Sequence, residues 1–366
     1  MAKFYMPVEV YEEPNAVMNH AADLKAFGEK ALIVTGRHSA EANGSLAAVT
    51  AALDRAGVAW CHFNEVEENP SVDTVMKARE LGQAEGADFV IGVGGGSPMD
   101  AAKAIALLLA HPERGSELLY EAGDSAALPI VAVPTTCGTG SEVTPVSVLT
   151  NRETGVKKAI PHQLFPDLAL IDGKYLASAP LKVLANTAFD ALTHLFESYL
   201  NVTATPYSRM CVEAGLKTWA LSQPVIRGEK APEEEDFLNM MRASTYGGMA
   251  IAQTSTVLPH GLSYALTTRL HVPHGKATAY FTAGYLTEAP AADRDYLLKT
   301  AGFADLEDFR AVYHGACGEV EADPETLREA LAIAVSEVMA GGKTKLSPMP
   351  ADEAMLQRIA CYELEH

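Results

Sequence analysis

Asp190 and His194 lie four residues apart in NTAFDALTHLFE. The apolar spacing of this stretch predicts a helix, so a carboxylate and an imidazole stand one above the other on one face. Such a pair is also an ordinary helical contact and is no site by itself. Two Pro-His-Gly units, LPHGL around His260 and VPHGK around His274, change its weight. Each places an imidazole where a proline ends one element and the next begins, on backbone that the pyrrolidine ring restricts. Carboxylate with neutral imidazole is a ligand set for zinc or ferrous iron, and these residue types permit both. His271 competes with His274 and is expected at the surface or behind the site.

A second chemistry is written in glycine. In VIGVGGGSPMD a hydrophobic run ends in Gly94, Gly95 and Gly96, followed by Ser97 and Pro98 where a helix would begin. Backbone N–H groups in such a turn can approach a phosphate closely, with the positive end of the helix dipole behind them. The run is not a G-x-G-x-x-G fingerprint. VPTTCGTGSE also follows a predicted strand and sets the hydroxyls of Thr135, Thr136, Thr139 and Ser141 among two glycines, which suits ribose and phosphate oxygens. Two such turns at successive strand ends favour a nucleotide over a plain polar loop.

These groups need elements to hold them. Up to about residue 175, short β-branched runs (31–35, 59–64, 89–93, 130–133, 168–171) alternate with helix-like segments such as 40–56 and 72–85. Strand and helix in alternation demand parallel strands with right-handed crossovers, whose carboxyl ends are the usual ligand edge. Beyond Pro180 strand-like runs cease and long helical patterns follow at 181–200, 208–222, 233–252 and 324–339. The expected organisation is an α/β dinucleotide-binding domain with a parallel sheet over 1–179 and an all-α metal-binding, catalytic domain over 180–366. A cleft between them is the expected substrate site.

Composition narrows the field. A formal net charge of -19 repels phosphate backbones and anionic lipid, which argues against nucleic-acid and membrane-surface roles. No apolar run approaches the roughly 20 residues a bilayer span needs. Five dispersed cysteines without a Cys-x-x-Cys pair fit free thiols in a reducing cytoplasm. The final Leu364-Glu365-His366 reads as the stub of a purification tag and is given no function.

Taken together, GGGSPMDAAK (94–103), PTTCGTGSE (134–142), DALTH (190–194) and the His-Gly pairs at His260 and His274 resemble the iron-containing (group III) alcohol dehydrogenase family. The resemblance spans essentially the whole chain. It implies a dehydroquinate synthase-like architecture and a metal-dependent alcohol dehydrogenase or aldehyde reductase passing hydride between NAD(P)(H) and a small alcohol or aldehyde. It implies Asp190, His194, His260 and His274 as ligands to one Fe2+ or Zn2+, and a homodimer. Its cofactor contacts fall on Asn69, Gly95, Gly96, Ser97, Asp100, Thr135, Thr136, Thr144 and Lys157, beside the Gly94 and Thr139 of the turns themselves. Sugar-phosphate cyclases similar to dehydroquinate synthase share the architecture, but they need a basic cluster for a substrate phosphate and usually a Glu ligand. A non-enzymatic nucleotide-binding protein is the other alternative.

Two departures bear on mechanism. Many members carry a histidine four residues after the first His-Gly histidine, available for proton relay; here it is Tyr264, a phenol with an ordinary pKa of about 10. NAD-preferring members often follow the first strand with an Asp for the ribose diol; here the chain reads Gly36-Arg37. Loss of the carboxylate and gain of a guanidinium favour NADP(H) over NAD(H).

Overall fold

The computed structural model describes residues 2–123, 126–152 and 155–366. The chain divides into two compact units, one of Met6–Thr136 and Gly140–Ser178, the other of residues 2–5, Cys137–Thr139 and Ala179–His366.

The first unit is built on β1 (Glu9–Glu12), β2 (Lys30–Gly36), β3 (Ala59–Val66), β4 (Phe89–Gly94), β5 (Ile130–Pro134) and β8 (Leu168–Ile171). They form a six-stranded sheet in the order β1-β8-β5-β4-β2-β3, and every pairing is parallel. β4 is buried along its whole length, as a strand covered on both faces must be. Side-chain alternation builds two cores from the same strands. Leu32, Val34 and Val90 join the Ala- and Leu-rich helix Gly96–Leu109 on one face, while Ala31, Ile33, Ile91 and Val93 pack with Val49 and Leu53 on the other. Each fully buried aliphatic side chain contributes about 1.5–3 kcal/mol relative to exposure. From β2 the chain runs outward to β3 and then returns to the opposite side of β2 as β4. That reversal puts the carboxyl ends of β2 and β4, Gly36 and Gly94, at a topological switch point.

Three features depart from the sequence expectation. β1 lies at the sheet edge with a largely exposed or half-buried pattern, so it carries no apolar run to read. An antiparallel hairpin of β6 (Val148–Asn151) and β7 (Val156–Ala159) stands apart from the main sheet. The helix expected over 40–56 is two, Ser39–Ala42 and Ser45–Ala56, because Gly44 adopts φ 80° between them.

Every regular element among the described residues of the second unit is a helix. Its central member is Leu181–Tyr199, buried almost all round from Leu184 onward. Phe189 sits edge-on to Trp219, Phe309 and Tyr313, each with ring centroids 5.7 Å away. Trp219 Nε1–H donates to the Ala188 carbonyl at 2.8 Å. These contacts fix the helix's rotation, and with it the direction of the neighbouring Asp190. Residues 2–5 belong to this unit: Tyr5 N–H donates to Gln253 Oε1 and Gln253 Nε2 to the Tyr5 carbonyl.

Candidate metal centre and nucleotide turns

Asp190, His194 and Glu197 form one buried stripe on Leu181–Tyr199, at spacings of four and three residues. His260 and His274 arrive from two other helices. The sequence placed each where a proline closes one element, but Pro259 and His260 are already in the first turn of Leu258–Arg269, while Pro273 is the N-cap before His274–Glu288. Proline suits either place, since its missing N–H is one that a helix start leaves unpaired anyway.

Ligand atoms of Asp190, His260 and His274 lie within 4.8 Å of one another. Asp190 Oδ1 is 3.4 Å from His260 Nε2 and 3.8 Å from His274 Nε2. His194 lies outside this set. Its ring stacks on His260 with centroids 4.3 Å apart, and its Nδ1 is 3.1 Å from the Gly138 carbonyl, which holds that nitrogen as the donor and leaves Nε2 as the basic one. His271 is exposed with φ 53°.

The residues fit a metal by their chemistry. His260 is 3% exposed, and its Nε2 has no partner in hydrogen-bonding geometry. Burial alone would raise the Asp190 carboxyl, yet the imidazoles of His194 and His274 hold it well below the carboxylate range. Burial and the neighbouring His260 press His194 down to about 4, so it stays neutral. His260 goes the other way, to about 9: burial lowers it, but the Glu197 and Asp190 carboxylates outweigh burial. Two buried carboxylates thus hold a positive charge among the imidazoles, and a dication could take the place of the His260 proton.

Close packing holds the set together. A Cβ on Gly275 would fall 1.9 Å from the Asn186 carbonyl oxygen, so only glycine lets the His274 helix start this near the Asp190 helix. The Thr278 hydroxyl lies 3.3 Å from Asp190 Oδ1. Glu197, which sequence reasoning passed over, accepts the His260 backbone N–H at 3.0 Å and pairs with His260 Nδ1 through its other oxygen.

In the first unit Gly94 has φ 148°, and a Cβ there would meet Pro98 Cγ at 2.6 Å. The Gly96–Leu109 helix that follows has no side-chain cap, so the N–H groups of its first turn point toward any anion at that end. A Cβ on Gly95 would lie 3.1 Å from the Thr136 side chain, and Thr135 N–H donates to the Gly94 carbonyl, so the two turns are packed side by side. Asn69, with φ 57°, receives Lys157 Nζ at 2.6 Å on its Oδ1, and its N–H donates to Ser97 Oγ. Three residues distant in sequence, Asn69, Ser97 and Lys157, thus meet.

Asp100 is committed inward, accepting from Ser141 Oγ at 2.9 Å and Val148 N–H at 3.0 Å. Lys103, a second residue missed from sequence, is fully buried and donates to Ser141 Oγ, the Val146 carbonyl and, at 3.5 Å, Thr144 Oγ1. Burial lowers its pKa to about 8 against the pull of Asp100 and Glu142. Gly36 closes β2 and Arg37 beside it is exposed. Thr139 goes with the helical unit.

A parallel nucleotide-type sheet unit and a helical unit carrying a carboxylate among imidazoles define a scaffold class with a candidate metal site. The family models complete the assignment: the iron-containing alcohol dehydrogenase model matches residues 7–173 and its C-terminal counterpart 184–295. The chain belongs to the iron-containing alcohol dehydrogenase family. It is 30% identical over 292 residues to the NADPH-dependent butanol dehydrogenase of Clostridium saccharobutylicum, covering 77% of this chain and 72% of the relative. It is 35% identical over 268 residues to the bifunctional aldehyde-alcohol dehydrogenase AdhE of Escherichia coli, covering 69% of this chain but only 30% of that longer relative. The iron-containing alcohol dehydrogenase structure from Thermotoga maritima superposes with a TM-score of 0.89 at 34% identity, covering 100% of both chains.

Proposed function

We propose that this chain is a metal-dependent alcohol dehydrogenase or aldehyde reductase acting with a nicotinamide cofactor on small alcohols and aldehydes. The observation that carries the reading is the convergence of buried Asp190 and His260 with half-buried His274. The family and its named relatives favour neither a sugar-phosphate cyclase nor a non-enzymatic binder.

Asp190, His194, His260 and His274 would hold one divalent ion, Fe2+ or Zn2+. When bound, that ion supplies Lewis acidity toward an alcohol or carbonyl oxygen, and the nicotinamide supplies or accepts the hydride. His194 would join the other three through Nε2, the nitrogen its Gly138 contact leaves basic. Asp190 supplies negative charge that only a cation can compensate in so buried a place. The Gly94–Ser97 and Thr135–Thr136 turns would bind pyrophosphate and ribose through backbone N–H and hydroxyl groups, with Asn69, Asp100, Thr144 and Lys157 holding the surrounding loops in shape. The Tyr264 ring lies nearly parallel to that of His274, centroids 6.4 Å apart, and would donate a hydrogen bond to the reacting oxygen or relay its proton. Gly36 and exposed Arg37 would admit and pair with a 2′-phosphate, so NADP(H) is the favoured cofactor.

The chain would work as a homodimer. The five cysteines are free, in keeping with a reducing cytoplasm, and no helix among the described residues is long and apolar enough to cross a membrane.

Consumption of NADPH with a panel of short aldehydes tests the function directly. Dialysis against chelator is expected to abolish it, and ferrous iron or zinc to restore it. Full activity of a metal-free preparation would overturn the reading.

A further inference from the structure

Glu197 is fully buried, yet nothing assigns it a task. It sits seven residues after Asp190 and three after His194, continuing their stripe on the Leu181–Tyr199 helix. Both its oxygens are used on one residue. Oε1 accepts the His260 backbone N–H at 3.0 Å, and Oε2 pairs with His260 Nδ1. The Leu258–Arg269 helix has no side-chain cap of its own, and His260 is its third residue. Glu197 therefore satisfies an N–H that a helix start leaves unpaired, where the helix dipole favours negative charge.

The ring contact has a chemical consequence. A carboxylate at Nδ1 keeps the proton there, which leaves Nε2 as the basic nitrogen. That is the atom 3.4 Å from Asp190 Oδ1 and without a hydrogen-bonding partner. Main chain and ring are gripped together, so His260 can neither shift along its helix nor rotate its imidazole.

We propose that Glu197 is the positioning residue of the metal centre, fixing the tautomer and direction of His260 and, through its charge, strengthening that imidazole as a ligand. The inference rests on the metal reading above. A glutamine would not reproduce this grip, because each His260 N–H meets its own carboxylate oxygen and an amide would turn its NH2 donor toward one of them.

The test uses the full chain, stripped of metal and titrated with Co2+ or Zn2+ against a chromogenic chelator. Glu197→Gln is expected to weaken metal affinity about 10- to 100-fold and to alter the visible Co2+ spectrum, with Glu197→Asp recovering part of the loss. In a His260→Ala background the same substitution should change affinity by less than about threefold, since Glu197 acts through His260. Equal affinity of wild type and Glu197→Gln, or an undiminished loss in the His260→Ala background, would overturn the proposal. Should the variants not fold, nitrogen-correlation NMR of the zinc-loaded wild type decides: a proton on His260 Nδ1 supports the assignment, and one on Nε2 refutes it. Failure of the wild type to bind any metal would instead strike at the metal reading itself.

Discussion

The proposed nucleotide turns and the candidate metal centre are built on opposite principles. At Gly94 and Gly95 the working parts are backbone N–H groups, and the site exists because side-chain atoms are missing. At the candidate metal centre the working parts are side chains: Asp190, His260 and His274 are brought from three helices to one point, with His194 stacked on His260 beside them. A site made of absences fails when an atom is added; a site made of side chains fails when one is removed. Gly275 is the exception, an absence inside the metal centre on which the approach of two ligand helices depends.

Gly275→Ala should therefore show the largest single effect outside the ligands. Its Cβ cannot coexist with the Asn186 carbonyl, and overpacking of this kind costs about 1–3 kcal/mol or more. Calorimetry should show a melting temperature lower by roughly 1–4 °C, together with reduced metal content. An unchanged melting temperature would mean that the helices part without penalty. Gly94→Ala is expected to raise KM for the cofactor about tenfold or more while leaving metal content intact, and coincident loss of metal would erase the distinction between the two regions.

Gly36→Asp restores a carboxylate at the end of β2. It should move the ratio of kcat/KM for NADPH over NADH about tenfold toward NADH, and a wild type that already prefers NADH would sink the NADP(H) proposal. Tyr264→Phe removes one hydroxyl, worth about 1 kcal/mol if it donates a hydrogen bond to the reacting oxygen, or roughly fivefold in kcat. Identical pH–rate profiles for the two proteins would remove Tyr264 from the mechanism.

The same contrast governs what could be read in advance. Turns made of backbone write themselves in consecutive letters, and Gly94–Ser97 and Thr135–Thr136 were legible for that reason. The metal set was legible in part, through the four-residue spacing of Asp190 and His194 and the repeated Pro-His-Gly. How His194 would lie relative to the other three was not legible, because it depends on a carbonyl at Gly138, far away in sequence. Lys103 and Glu197 escaped because a lone charged residue in a helix is normally its solvated side. A signal was present: each is the one charged residue of an apolar stretch, AAKAIALLL and HLFESYL, where burial obliges it to find partners. β1 and the β6–β7 hairpin escaped for the opposite reason, since exposed or edge strands need no apolar pattern.

The three-residue excursion Cys137–Thr139 bears on modularity. The chain passes between compact units at residues 5/6, 136/137 and 139/140 as well as at 178/179. A fragment ending at Ser178 would carry off Gly138, the acceptor that holds His194, and a fragment starting at Ala179 would inherit all four candidate ligands but not the means to aim one of them. Domain exchange between relatives, a natural experiment for a chain of two compact units, therefore has no clean cut here. Any graft of the helical unit has to bring the tripeptide with it.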